Sequence, residues 1–355
     1  MGDVAHGRRR ALRLGWPRYQ RLALNDPTRR LALTRSNAPT LLVHAPAQAL
    51  QGSVHAPDGA FVTGRAELFR ALGVLCEPPD PAHRALAEAI DLPGRALDHE
   101  HTDVFLFQLY PYASVYLGAE GMLGGEARDR VAGFWRALEL SPPAEPDHLA
   151  ALLSLYASLM DAEQNETHPA RRLMRRESRK ALLWEHLLIW LPAYIDKMKE
   201  IAPPFYEGWA EVLESMLVSE ATALESQEGL PLHLRSALAE VPSLEGGKQF
   251  ISWLLAPVRS GMVLVRSDLQ RATANLGLGL RVGERRWVLE SLLGQDPEAI
   301  LSWLASETRR WAGLHRRWLP VTGDVARFWI ERAEAAESVI GEALAEARSL
   351  VAPQT

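Results

Sequence analysis

Glu100-His101-Thr102-Asp103-Val104-Phe105-Leu106-Phe107, then Tyr110-Pro111-Tyr112-Ala113-Ser114-Val115-Tyr116-Leu117-Gly118, then Glu145-Pro146-Asp147-His148-Leu149 are the three parts of the stretch that organises this chain, His99 to Met160. They read as a helix end, an aromatic-rich loop and the start of an apolar helix. Residues 110–125 hold Pro111 and several glycines, which is loop chemistry, but also Tyr112, Val115, Tyr116 and Leu117, so the loop has to cover something. Pro146 suits the first helical position, and acids beside it offset the macrodipole by ~0.3–1 kcal/mol. His148 is the residue such a start leaves unexplained. A cation is misplaced there, so the neutral imidazole is expected, turned away from bulk water.

Outward from this stretch the periodicity is helical. Ala66, Phe69, Leu72 and Leu75 recur at helical spacing until Pro78-Pro79, with order expected to begin at Arg65. Asp80 caps a second helix with Pro81 first and Leu86, Ala89 and Ile90 inward, and a third covers about 95–107. Residues 126–140 put Val131, Phe134, Trp135 and Leu138 on one side. The helix opening at Pro146 is apolar nearly all round through Leu149, Leu152, Leu153, Tyr156, Leu159 and Met160, as the centre of a bundle is. The segment from His168 begins basic, Arg171 to Lys180, turns apolar, and should break at Pro192; Pro203-Pro204 opens another helix with Phe205, Trp209, Val212, Leu213, Met216 and Leu217 inward. Residues 241–247 read as a linker, and helices follow near 250–255, 262–276, 287–293, 297–311 and 325–350, the fourth capped by Asp296. The expected fold is all-α, a helical bundle with an additional C-terminal helical region. Its expected divisions are a basic, poorly ordered arm (1–64), an all-helical domain (65–240) and a C-terminal helical extension (241–355).

The composition is that of a globular protein: 355 residues, 47% hydrophobic and 23% charged. The net charge of −5 is unevenly spread, because the chain up to Gly64 is rich in Arg, lacks Lys and has few acids. The remainder is therefore more acidic than the total, which disfavours bulk nucleic-acid binding by the main body and leaves an RNA- or membrane-touching arm as an alternative. Eleven Trp against seven Tyr and eight Phe suit helix seams, and grooves that receive apolar ligands. The single cysteine, Cys76, excludes a disulfide frame, a Cys-based zinc cluster and iron–sulfur ligation within the chain, and fits a helix-end core position. Arg8-Arg9-Arg10 is followed by no apolar run of signal-peptide length, and Leu187-Leu188-Ile189-Trp190-Leu191-Pro192 is too short to span a membrane, so a soluble, cytoplasmic protein is expected.

Catalytic and metal chemistry find little support. His99, His101, Glu100, Asp103 and His83 lack the i, i+4 spacing of helical metal ligands, so no metal and no cofactor is expected. No Gly-x-Ser-x-Gly, Ser-x-x-Lys or Cys–His signature is present. Gly277-Leu278-Gly279-Leu280-Arg281-Val282-Gly283 has neither a preceding strand nor a Gly-Lys-Ser/Thr, and reads as a helix-to-helix connection. Residues 267–276 and 285–293 have some likeness to a helix-turn-helix, with a connection longer than that motif uses, which keeps a DNA-binding regulator as an alternative.

The stretch resembles the TorD-like redox-enzyme maturation chaperones, relatives of the nitrate reductase delta subunit. Members carry Glu-Pro-x-Asp-His or Glu-Pro-Asp-His, matched by Glu145, Pro146, Asp147 and His148, and a Pro-Tyr-x-Ser-Val-Tyr-Leu loop, matched by Pro111, Tyr112, Ser114, Val115, Tyr116 and Leu117. Gly124-Gly125 followed by Phe134-Trp135 completes the correspondence, which covers about residues 65–234. Members often place an acid in the helix after the histidine; Ala151-Leu152-Leu153-Ser154-Leu155 has none. The resemblance implies a non-enzymatic cytoplasmic chaperone whose partner is an apo molybdopterin oxidoreductase, held by its signal peptide or another exposed segment during cofactor insertion. The implied peptide-binding residues are Asp147, His148, Glu145, Pro146, Tyr112, Ser114, Tyr116 and Trp135, with Tyr112, Tyr116 and Trp135 as groove walls. A plain assembly subunit is the further alternative, and monomer and homodimer both stay open.

Overall fold

The computed structural model describes residues 58–225, 229–237 and 247–351. The expected arm up to residue 57 and most of the expected linker lie outside the described residues. Helices α1 to α17 run Asp58–Leu75, Pro81–Ala89, Asp98–His101, Ala113–Leu117, Gly125–Ala137, Leu149–Asn165, Pro169–Leu182, Leu191–Ile201, Pro204–Ala223, Leu232–Arg235, Gly247–Leu254, Pro257–Ser260, Arg266–Leu276, Arg285–Gln295, Pro297–Arg317, Leu319–Thr322 and Asp324–Val351. Wider π-helical turns extend α3 through Thr102–Gln108 and α7 through Leu183–Leu187. Among the described residues there is no strand, and one isolated antiparallel bridge joins Tyr112 to His148. The fold is all-α, as the periodicity requires.

Helix α6 is the centre of the first group of helices. Leu149, Leu152, Leu153, Tyr156, Leu159 and Met160 are all buried, with α1 along one side and α7 along another. One continuous apolar cluster takes in residues from Ala66 to Ile340, so α11 to α17 share a core with α1 to α10. Pro81 and Pro297 sit in the first turns of α2 and α15, where their missing N–H costs nothing; Asp80 and Asp296 accept N–H bonds from Ala82 (2.8 Å) and Ala299 (2.9 Å). In α2, however, Ala87 is the buried residue and Ala89 is exposed.

Tryptophan indoles close backbone gaps where helices end. Trp209 of α9 donates to the Leu72 carbonyl at 2.9 Å, one of the last four carbonyls of α1, which have no partner within their own helix. Trp329 of α17 donates to the Ile189 carbonyl at 2.9 Å, in the break between the α7 π-turn and α8, where Pro192 prevents continuation. These rings pack apolar seams and satisfy buried acceptors at once.

An ionic seam joins α8 to the later helices. The Lys197 ammonium, fully buried, lies 2.9 and 3.0 Å from the Asp268 carboxylate of α13 and 2.7 Å from Glu200. Asp268 also accepts from Val265 N–H at 2.8 Å, which starts α13, and Arg310 of α15 reaches Glu200 at 3.1 Å. No described helix is long and apolar enough to cross a membrane.

Candidate functional site

The loop before α4 and the loop before α6 are locked to each other by backbone bonds. Ala113 N–H donates to the Asp147 carbonyl at 3.0 Å, and Leu149 N–H donates to the Pro111 carbonyl at 2.8 Å. The Asp147 carboxylate adds a third tie, accepting from Ser114 N–H at 3.0 Å, and is 1% exposed. The Ser114 hydroxyl in turn accepts from Gly124 N–H at 3.1 Å and positions the turn into α5. Asp147 and Ser114 thus hold three loops in register from inside. Within the expected loop, Ala113–Leu117 is helical, and its Val115, Tyr116 and Leu117 are buried, which is what that apolar loop covers.

Helix α6 begins at Leu149 rather than at Pro146, with His148 as its N-cap. The His148 Nδ1 accepts from Ala150 N–H at 3.2 Å, which requires an unprotonated Nδ1 and leaves the ring proton of the neutral form on Nε2. Burial, aided by charge at His101, lowers its pKa to about 4. The ring is 8% exposed and meets Tyr112 edge-on at 4.7 Å. The histidine that sequence left unexplained is therefore a neutral helix cap.

Around this buried frame lies a more open lip. The Tyr112 hydroxyl donates to Glu145 at 2.8 Å; burial and that carboxylate push the phenol pKa up. Trp135, half-buried on α5, donates its indole N–H to the Pro146 carbonyl at 3.3 Å. Tyr116, by contrast, is 1% exposed and stacked on Trp190 at 5.0 Å, with its hydroxyl donating to the Tyr110 carbonyl at 2.9 Å. It is a core ring that supports the loop from beneath. Pro146 is also buried, and Glu145 is exposed.

Glu77, just past the end of α1, was not singled out by any motif. Its carboxylate lies 4.0 Å from His148 Nδ1, and burial together with the charge of Glu145 raises its pKa. Glu77 therefore shares an acidic field with Glu145 over the neutral His148. His101 fixes this end of α1 through a 3.2 Å bond between its Nε2 and the Cys76 carbonyl, while the Cys76 thiol, 2% exposed, donates to the Gly73 carbonyl at 3.0 Å. Exposed apolar side chains occur on the elements leading into the lip: Val74 at the end of α1, Leu106 and Phe107 in the π-turn, and Leu140 after α5.

No group of three or more His, Cys, Asp or Glu side chains capable of holding a metal occurs among the described residues. The arrangement offers apolar side chains, an aromatic pair and two carboxylates at a surface, which suits recognition of an extended or helical peptide more than bond chemistry.

Residues 75–196, which contain Glu77, Tyr112, Trp135 and Glu145, match the family described as nitrate reductase delta subunit. The chain is also similar to the chaperone protein TorD of Vibrio vulnificus (strain YJ016), at 28% identity over 158 residues, covering 40% of this chain and 68% of that protein.

Proposed function

We propose that the helical frame around α6, which is similar over residues 75–196 to the nitrate reductase delta subunit family and to a TorD chaperone, is of the TorD-like type, and that this protein is a cytoplasmic, non-catalytic chaperone for the maturation of a molybdopterin oxidoreductase. Its lip of Tyr112, Trp135, Glu145 and Glu77 binds the signal peptide, or another exposed segment, of the apo-enzyme while the cofactor is inserted. The observation that carries this reading is the triple tie between Pro111–Ser114 and Asp147–Leu149, which presents Tyr112 and Glu145 at the surface from a rigid base. Asp147, Ser114, Tyr116 and Pro146 act as positioning residues, and His148 braces Tyr112 without carrying charge.

An export signal joins basic residues to an apolar run, and the lip has both counterparts. Glu77 and Glu145 supply carboxylates for guanidinium groups, and Tyr112, Trp135, Val74 and Leu140 supply apolar contact. Burying ~500 Å² of apolar surface gives ~12 kcal/mol gross, from which association removes ~4 kcal/mol or more, leaving affinity near micromolar. Reversible hand-off of a client needs that weakness.

The reading is tested by calorimetric titration of the full chain with a synthetic peptide bearing paired arginines before an apolar run. A ~micromolar Kd for this peptide, lost when the apolar run is replaced by Ser and Gly, is expected. Equal binding of both peptides, or of neither, overturns it.

A further inference from the structure

The far end of α6 carries a second surface. Helix α7 starts there, and residues 167–177 are exposed without interruption, so its first two turns project from the bundle. Ala170, Leu173, Met174 and Glu177 fall on one face by helical spacing, opposite the buried Arg179 and Leu182. Leu173 is 59% and Met174 68% exposed. Arg171, Arg172, Arg175 and Arg176 surround them, and Lys180 follows one turn on.

Local stability accounts for only part of this composition: Arg172 donates to the Glu166 carbonyl at 2.8 Å and Arg176 to the Ala223 carbonyl at 3.0 Å. The first turn of α7 contains no acid and places Arg171 and Arg172 against the macrodipole, each unfavourable by ~0.3–1 kcal/mol. Arg171 pairs with Glu166 and Arg176 with Glu163, but among the described residues neither Arg175 nor Lys180 has an ion-pair partner. Two bare apolar side chains in a ring of arginines match the make-up of protein interfaces, which are enriched in Arg and Met.

We propose that this tip docks an acidic, leucine-bearing segment of the client protein, a second contact that rests on the chaperone reading above. Charge complementarity selects the occupant. The chain's own first 57 residues are rich in arginine and of the same sign as the tip, so they do not suit it. Glu177 is exposed among the cations and would face the phosphates of a bilayer or a duplex, whereas a short acidic peptide bearing apolar residues can place its carboxylates on the arginines alone. The 17 residues of α6 separate the tip from His148 by about 25 Å, so a client touching both is gripped at two points. Two modest contacts joined through one client give an avidity that neither has alone.

The test uses the full chain and four probes: a synthetic amphipathic peptide of Glu and Leu, its Lys-for-Glu counterpart, phosphatidylglycerol vesicles and duplex DNA. The Glu/Leu peptide is expected to bind in a salt-sensitive manner. Its affinity is expected to fall ~10-fold in Arg171→Glu/Arg175→Glu and similarly in Leu173→Ser/Met174→Ser, with both variants unfolding cooperatively and only small changes in melting temperature because all four side chains are exposed. Tyr112→Ala should leave it unchanged. Equal binding to wild type and both tip variants, no binding at all, or tighter binding of vesicles or DNA overturns the proposal. The arginine-bearing signal-type peptide reads the lip separately: its failure to bind, with the tip result intact, sinks the lip reading and not the tip.

Discussion

The Asp147 carboxylate accepts a hydrogen bond from the backbone N–H of Ser114 across the two loops that frame the site, at 3.0 Å and with Asp147 1% exposed. An internal carboxylate of this kind shapes a surface without reaching it. Asp147→Ala leaves a buried N–H unsatisfied and is expected to lower stability by ~1–3 kcal/mol, with Asp147→Asn milder because it keeps an acceptor. Denaturant unfolding of the two variants checks the order.

Stability should fall in mild acid. The folded-state pKa of His148 is about 4, that of His186 about 3, and those of His233 and His315 about 4, all lowered first by burial. Each is below the ordinary histidine value, so the unfolded chain binds more protons in this range. Their contribution is fully present above about pH 6.5 and is lost as pH falls toward about 4 for His148, His233 and His315 and toward about 3 for His186. His148 alone accounts for up to ~3 kcal/mol. His148→Asn, which keeps a capping side chain, should flatten the decline in unfolding midpoint between those pH values.

Lys197→Met leaves the Asp268 carboxylate, which is 0% exposed, with Arg271 at 2.7 Å as its remaining cationic partner. A loss of ~2–3 kcal/mol is expected, and Lys197→Met/Asp268→Asn should recover part of it by removing the under-compensated buried charge. Thermal melts of both variants measure the difference.

Gly261 adopts φ +69°, and a Cβ there would run into the backbone of Ala333 in α17. Gly261→Ala combines a disfavoured conformation with a backbone clash, and a destabilisation of at least ~2 kcal/mol is expected from chemical unfolding.

Much of the architecture was legible because its signals are local. Asp80, Asp296 and the apolar rows of α6 and α9 specify helix starts and buried faces within a few residues. Boundaries set by tertiary bonds were not legible. Helix α1 starts at Asp58, upstream of Arg65, and α6 starts after Pro146 because Leu149 N–H goes to the Pro111 carbonyl of another loop. The π-turns of α3 and α7 have no sequence period of their own to reveal them. At the site, helix electrostatics already pointed to a neutral His148, and burial is what lowers its pKa in the folded chain. Whether a tyrosine faces in or out does not: Tyr112 and Tyr116 are four residues apart in one apolar run, and only packing on Trp190 separates their fates. Glu77 belongs to no motif, and its relation to Glu145 exists only in the folded chain.

The most direct test of lip recognition is calorimetric titration of the arginine-bearing apolar peptide into the wild type and into Tyr112→Ala/Glu145→Gln, whose side chains are not part of the buried frame. A ~10-fold or greater loss of affinity is the expected result, in a double variant that still unfolds cooperatively with a modestly lower melting temperature from the lost Tyr112–His148 contact. Undiminished binding in a folded double variant would contradict the assignment of peptide recognition to this lip.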